Sequence, residues 1–391
     1  MLYRIALIQI FIYLVAVPAV RVVFYQVVVD YAWVISFAFI GSFLVAGNMF
    51  YFFKNKIPSF PGELINFRFS KVGALFLFVW VAICLIISIQ FGLYNRRIGT
   101  ENAAELFAGI PTLVLMVFRS LEISMPMLMA VMVIKVFDGH PLSRLDICIS
   151  IALIIAFFSL GAANSRSATG LFLVIILVIS QNRIPRRLLN KTIGYFLLFG
   201  VIFFLGVTAI RSVDDVGRSF DEYFSAEVVQ RLDGLEVVSE IVSIHGYQLL
   251  GINPSAALIP LIALVPFLDE AVQLKANALT SVKAVILERE LGSELRDINS
   301  FVVLDAYYLG GFIGVVIVGF IIGLLARWVD LYIGRRVGVV LFVGMVSIAS
   351  NLLIIEREAL GMTVSMFRDF IILFFVFRLV FYSGRNIMLR K

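Results

Sequence analysis

The chain has 391 residues, of which 61% are hydrophobic and 15% charged, with a formal net charge of +6 and a mean hydropathy of +1.03. Roughly a quarter of a soluble domain is charged, so a water-soluble globule is excluded and a chain embedded in a bilayer is indicated. Cys84 and Cys148 fall inside apolar runs and no C-x-x-C spacing exists, so neither a disulfide framework nor a zinc site is supported.

A helix needs about 20 apolar residues to cross the hydrocarbon core. Runs of that kind lie at 4–23, 31–53, 72–94, 114–135, 146–163, 168–182, 192–210, 303–326, 338–355 and 365–383. They predict an all-α polytopic membrane protein of about ten spans, forming one integral domain over 1–391. The first run, MLYRIALIQIFIYLVAVPAV, has the basic start and small residues of a signal peptide. Because apolar residues continue through Val29 and another run follows at once, we read it as an uncleaved span.

With the N-terminus inside, the segments 54–71, 135–146, 180–191, 326–337 and 378–391 face the cytoplasm. Together with Arg4 they hold 18 of the 32 basic residues but only 4 of the 26 acidic ones. That asymmetry is the positive-inside pattern. The outer face is left with twelve arginines and only two lysines, Lys275 and Lys283. Arginine's planar fork grips phosphate with two donors and is more weakly hydrated than an ammonium. Snorkelling or pairing with nearby carboxylates accounts equally well for any one of these arginines.

Taken in order along that face, the hinge GAANSRSATG holds Arg166 between Asn164, Ser165 and Ser167, a compact donor cluster where two spans meet. After span seven comes a long polar insertion over 211–302, expected outside the membrane between spans seven and eight. Segments of this length without a connecting role are usually functional. It opens with Arg211, Asp214, Asp215, Arg218, Asp221, Glu222, Arg231, Asp233, Glu236 and Glu240. Phe224, Val228, Leu232, Leu235, Val238 and Val242 recur at three and four, predicting an amphipathic helix on the membrane or on the bundle.

The following stretch, YQLLGINPSAALIPLIALVPFLDE, is apolar but carries Pro254, Pro260 and Pro266, which break helices. It reads as re-entrant or interfacial. Residues 268–300 are polar, with a short helix predicted near 278–290, and end at Asn299 and Ser300 before span eight. Span eight carries glycines at 310, 311, 314, 319 and 323, explained by close helix packing, and an ionisable Asp305 just inside its outer end. Glu356, Arg357 and Glu358 follow span nine, and Arg368 with Asp369 begins span ten. Tyr223, Tyr247, Tyr307 and Tyr308 fall at the same face, where interfacial anchoring is the commoner use. Ionisable residues thus gather at span ends, whereas a coupled transporter carries them, with broken helices, at the midplane.

The SRSATG turn, the RS…R…RLDGLE stretch and INSF…DAYYLGGFIG together resemble the O-antigen polymerase family of oligosaccharide repeat-unit polymerases. The resemblance covers most of the chain as topology and about fifty residues as motif. It implies a GT-C-type glycosyltransferase in the bacterial inner membrane, with its catalytic face periplasmic. The expected substrate is an undecaprenyl-diphosphate-linked oligosaccharide, with membrane lipid and a chain-length regulator as partners, no nucleic acid, no metal and no cofactor. By motif, Arg166, Arg211, Arg218 and Arg231 are carried over as diphosphate or glycan contacts. Glu236 and His245 are the candidates for base or orienter, from position and chemistry, and Asp215, Asn299, Arg357 and Arg368 join the substrate-binding set. An O-antigen ligase and a flippase or exporter of lipid-linked oligosaccharide are the alternatives.

Overall fold

The structure is a computed structural model that describes residues 1–25, 30–53, 69–91, 111–137, 142–159, 174–179, 185, 187–191, 194–195, 235–258, 286, 302–333, 339–353 and 359–381. All of predicted span 192–210 but 194–195, most of 168–182, and all of the helix expected at 278–290 but residue 286 lie outside the described residues. Among the described residues every regular element is helical, and five helices are long and apolar enough to cross a membrane: Leu2–Val20, Tyr31–Phe50, Lys71–Gln90, Met116–Val136 and Val302–Tyr332. On the third of these, Val72, Leu75, Ile86 and Ile89 each expose more than 60% of their surface. A soluble helix buries such a row. Hydrocarbon accepts it, as a helical membrane protein requires.

The chain divides into two compact units. The first comprises Met1–Ile57, Leu197–Trp328 and Asn351–Met366, the second Pro58–Phe196, Val329–Ser350 and Phe367–Lys391.

In the first unit, α1 (Leu2–Phe11) continues through a π-turn at Ile12–Ala16 into α2 (Val17–Tyr25). A π-turn offsets the helical ladder, and within it the Leu14 carbonyl accepts from Ser36 Oγ at 2.8 Å. Ser36 belongs to α3 (Asp30–Phe53), whose buried stripe runs Ala32, Ile35, Ser36, Phe39, Phe43 and Ala46 at helical spacing. Gly319 and Gly323 of α8 (Val302–Tyr332) press on that stripe. A Cβ at Gly319 would lie 2.8 Å from the Phe39 carbonyl, and one at Gly323 3.0 Å from Ala46 Cβ. This is the small-x-x-x-small packing the glycines predict. Tyr3 stacks on Phe43 at 4.7 Å and lies under the Arg327 guanidinium at 5.3 Å, so the N-terminus, the far half of α3 and the end of α8 share one end of this unit.

In the second unit, α4 (Lys71–Gln90) starts at Ser70, whose side chain accepts from the Gly73 N–H at 2.8 Å. Trp80 of α4 donates its indole N–H to the Val117 carbonyl of α5 (Thr112–Phe137) at 3.1 Å. α6 (Arg144–Ser159) begins with a reciprocal cap. Ser143 Oγ accepts from the Asp146 N–H at 3.2 Å, and Asp146 Oδ2 accepts from the Ser143 N–H at 2.8 Å. That is a capping box with aspartate in the third position. The other Asp146 oxygen takes Lys135 Nζ at 2.6 Å, joining the end of α5 to the start of α6.

Later in the chain, α9 (Val339–Leu352) and α10 (Ala359–Val380) meet through Phe342 and Phe377, ring centroids 6.0 Å apart. The end of α10 returns to the start of α4. Phe381 forms a bridge with Phe69, and the Ser70 N–H donates to the Val380 carbonyl at 3.1 Å. Lys135 Nζ sits over the Phe69 ring at 5.6 Å. Phe69, Lys135, Asp146 and Phe381, from three segments expected on one membrane face, are thereby linked at one end of this unit.

Candidate functional site at a broken helix

α7 (Glu236–His245) is the described part of the predicted amphipathic helix. Val237, Val238, Ile241 and Val242 are buried while Glu240, Ser243 and Ile244 are exposed, and the helix packs on α3. Of the two readings open for it, it takes the bundle. The helix stops at Gly246 (φ 70).

Beyond it the chain runs without regular structure from Gln248 to Asn253, bending at Leu249, Leu250 and Ile252, then makes a 3₁₀ turn over Pro254–Leu258, where Pro254 ends any α-helix. This piece lies against a break in α8. Gly311 has φ 60 and ψ −152, which splits the helix into Val302–Gly310 and Phe312–Tyr332. Span eight, read from sequence as one apolar helix packed through its glycines, is thus interrupted at the second of them.

The backbone bonds account for the break. In an unbroken helix the Phe312 and Ile313 N–H groups would donate four residues back. Here they donate to the Gln248 carbonyl at 3.0 Å and the Leu249 carbonyl at 3.3 Å. The Tyr308 carbonyl, released from the ladder, accepts from the Ile252 and Asn253 N–H groups at 2.9 and 3.1 Å. Four bonds at about 0.5–1.5 kcal/mol net each amount to a few kcal/mol. They also leave these backbone groups satisfied, the condition for irregular backbone in an apolar segment.

Glycine is required on both sides of this junction. A Cβ on Gly311 would lie 2.5 Å from the Gly251 nitrogen, and a Cβ on Gly251 (φ 93) would lie 2.6 Å from the Leu309 carbonyl carbon. Tyr307 closes the junction. Its hydroxyl accepts from the Gln248 N–H at 2.8 Å and donates to the Gly246 carbonyl at 3.3 Å.

Tyr307 and Tyr308 are 0% and 1% exposed, so neither serves as an interfacial anchor or an open sugar platform. Tyr247, 44% exposed and tilted against Phe312 at 5.8 Å, keeps that option. Asp305 is buried in the first turn of α8, where the helix dipole favours a carboxylate.

Of the residues singled out from sequence, Arg166, Arg211, Arg218, Arg231, Asp215, Asn299 and Arg357 lie outside the described residues. Glu236 and His245 open and close α7. Nine positions put them about 13.5 Å apart along the axis and about 180° apart around it. They cannot form a base and orienter pair. Glu236 in the first turn instead complements the helix dipole.

His245 leads directly into the docked segment, and Gln248 Nε2 donates to its carbonyl at 2.7 Å. Arg368, half-exposed on α10, forks Asp369 Oδ1 through Nε at 3.0 Å and Nη2 at 2.8 Å. Its two-donor face is engaged by its own neighbour. Among the described residues, no three of His, Cys, Asp and Glu gather closely enough to hold a metal ion.

Sequence reasoning missed the pairing of the docked segment with span eight. The Gly-Gly of YYLGG and the lone Gly251 before a proline turn are compatible with it but equally with an unbroken, closely packed span. No protein-family model, no curated protein and no solved structure matches the chain.

Proposed function

We propose that the protein is a lipid-linked oligosaccharide polymerase of the O-antigen type, acting at the outer face of the bacterial inner membrane through a GT-C-type bundle of about ten spans. The observation that supports this reading is the position of the break, at the tenth residue of α8 and so toward one end of the span. Gly311 lies sixteen residues before Arg327, about 24 Å along the axis, whereas the midplane of a 30 Å core is about 15 Å from either boundary. If Arg327 stands near the inner boundary, as the charge pattern expects, the break and Tyr307 fall toward the outer end.

A lipid-anchored diphosphate presents its reacting carbon at that level. The hydroxyl of the terminal sugar on one lipid attacks the anomeric carbon of a glycan on another. A C–O bond forms, the bond to the diphosphate breaks, and the hydroxyl proton passes to a base. Arg211, Arg218 and Arg231, with Arg166 from the hinge, would neutralise the charge left on the diphosphate. His245 is the favoured base, since Glu236 faces away from it.

The broken helix also favours a second reading, a flippase of the same lipid-linked sugar, because transporters build sites from discontinuous helices. Those sites sit at the midplane, and the position of Gly311 argues for surface chemistry instead. Deleting the gene and examining surface polysaccharide separates these readings. Loss of a polymerase leaves core bearing a single repeat unit. Core with none and polymer accumulating on the lipid indicates a ligase, lipid-linked single units trapped inside indicate a flippase, and an intact ladder overturns all three.

A further inference from the structure

The junction between Gln248–Asn253 and α8 has two hydrogen-bonding solutions, and only one of them is occupied. We infer that this segment is a releasable strap, and that α8 closes into a continuous helix when the strap leaves. The donors decide the matter. Phe312 and Ile313 donate to strap carbonyls at 3.0 and 3.3 Å, yet the Tyr308 and Leu309 carbonyls are the acceptors that a continuous helix would give them. Release therefore exchanges two acceptors and orphans no α8 donor. The bonds forfeited without replacement in the helix are those of Ile252 and Asn253 to Tyr308 and the two made by the Tyr307 hydroxyl.

Apolar burial does not hold the strap down. Leu249 and Leu250 expose 54% and 72% of their surface while docked. Gly251 and Gly311 supply the positive-φ conformations that docking needs, and neither is needed by a continuous helix. His245 and α7 stand at one end of the strap and the Pro254 turn at the other, so release alters the outer end of this unit and leaves the seam of Gly319 and Gly323 on α3 untouched.

Residue-resolved hydrogen–deuterium exchange on the full-length protein in lipid nanodiscs tests this. If α8 closes as the strap leaves, Ile252 and Asn253 exchange through an opening that keeps Phe312 and Ile313 protected, with at least a tenfold difference in rate expected. Tyr307→Phe should speed the strap pair several-fold further and leave the α8 pair unchanged. Gly311→Ala, strained only in the docked state, should strip protection from the strap alone. One common rate for all four amides in both the wild type and Tyr307→Phe overturns the inference, because it describes a break that melts as a whole. The Tyr307→Phe rates decide by themselves, since that substitution adds no bulk.

Discussion

Lys135 and Asp146 form a buried ion pair, Nζ to Oδ1 2.6 Å, with 10% and 4% of their side chains exposed. The second carboxylate oxygen is fully used by Ser143, through its backbone N–H and its hydroxyl, both at 2.8 Å. Removing one partner strands the other charge away from water, a loss of about 3–5 kcal/mol. Lys135→Met and Asp146→Asn should each lower the unfolding temperature in detergent, and the double variant should recover part of the loss. Additive losses in the double-mutant cycle would mean the pair is not coupled.

A second prediction concerns the seam between α3 and α8. Leucine at Gly319 or Gly323 has no room against Phe39 and Phe43, and overpacking of this kind costs about 1–3 kcal/mol. Gly344→Ala is the control, because its new methyl would meet only the Phe370 ring at 3.8 Å. Thermal unfolding followed by size-exclusion fluorescence should rank the two seam variants below the wild type and Gly344→Ala at or above it.

The helices were legible because each signal was strong and local. Long apolar runs gave the spans at 4–23, 31–53, 72–94, 114–135 and 303–326, and the three-and-four spacing of Leu235, Val238 and Val242 gave α7. Gly319 and Gly323 announced close packing by type alone. The break at Gly311 was hidden, since an apolar sequence with glycines reads the same whether the helix is whole or split. What splits it is a pair of backbone carbonyls, Gln248 and Leu249, each 64 residues upstream of its donor, and backbone carbonyls carry no sequence signature. The burial of Tyr307 and Tyr308 was hidden for the same reason. Glu236 and His245 could have been separated from the start, because a ten-residue helix places its ends on opposite sides.

The hydroxyl of Tyr307 supplies a third prediction. Tyr307→Phe leaves the Gln248 N–H and the Gly246 carbonyl without it and should cost about 1–3 kcal/mol. Tyr247→Phe, at a ring that is nearly half-exposed, should lie within about 0.5 kcal/mol of the wild type. Paired melting curves give the contrast, and equal losses would deny the hydroxyl its role.

The proposed function gives the arginines unequal weights. Arg368 already satisfies Asp369, so Arg368→Ala should leave most of the polysaccharide ladder intact at matched membrane levels. Arg211→Ala and Arg231→Ala should shorten or abolish the ladder, in line with the 10²–10³-fold effect, roughly, of removing one charge-stabilising donor. A full ladder in both would remove those arginines from the mechanism.

Sidedness can be read directly by cysteine labelling in a background of Cys84→Ala and Cys148→Ser. Ser255 and Lys71 are both exposed positions. Ser255→Cys should react with a membrane-impermeant maleimide added from outside, and Lys71→Cys only after the membrane is opened. The reverse pattern would invert the topology and move the proposed chemistry to the cytoplasm.

As one straight helix the 31 residues of α8 would measure about 46 Å, some 16 Å more than the thickness of the hydrocarbon core. A straight rod of that length must tilt steeply or stand proud of the lipid, and membranes of different thickness would each force a new angle on it. The glycine break removes that coupling. The segment Phe312–Tyr332 alone measures about 31 Å, close to the thickness of the hydrocarbon, so this half can take its tilt from its packing on α3 while the break carries the remaining length.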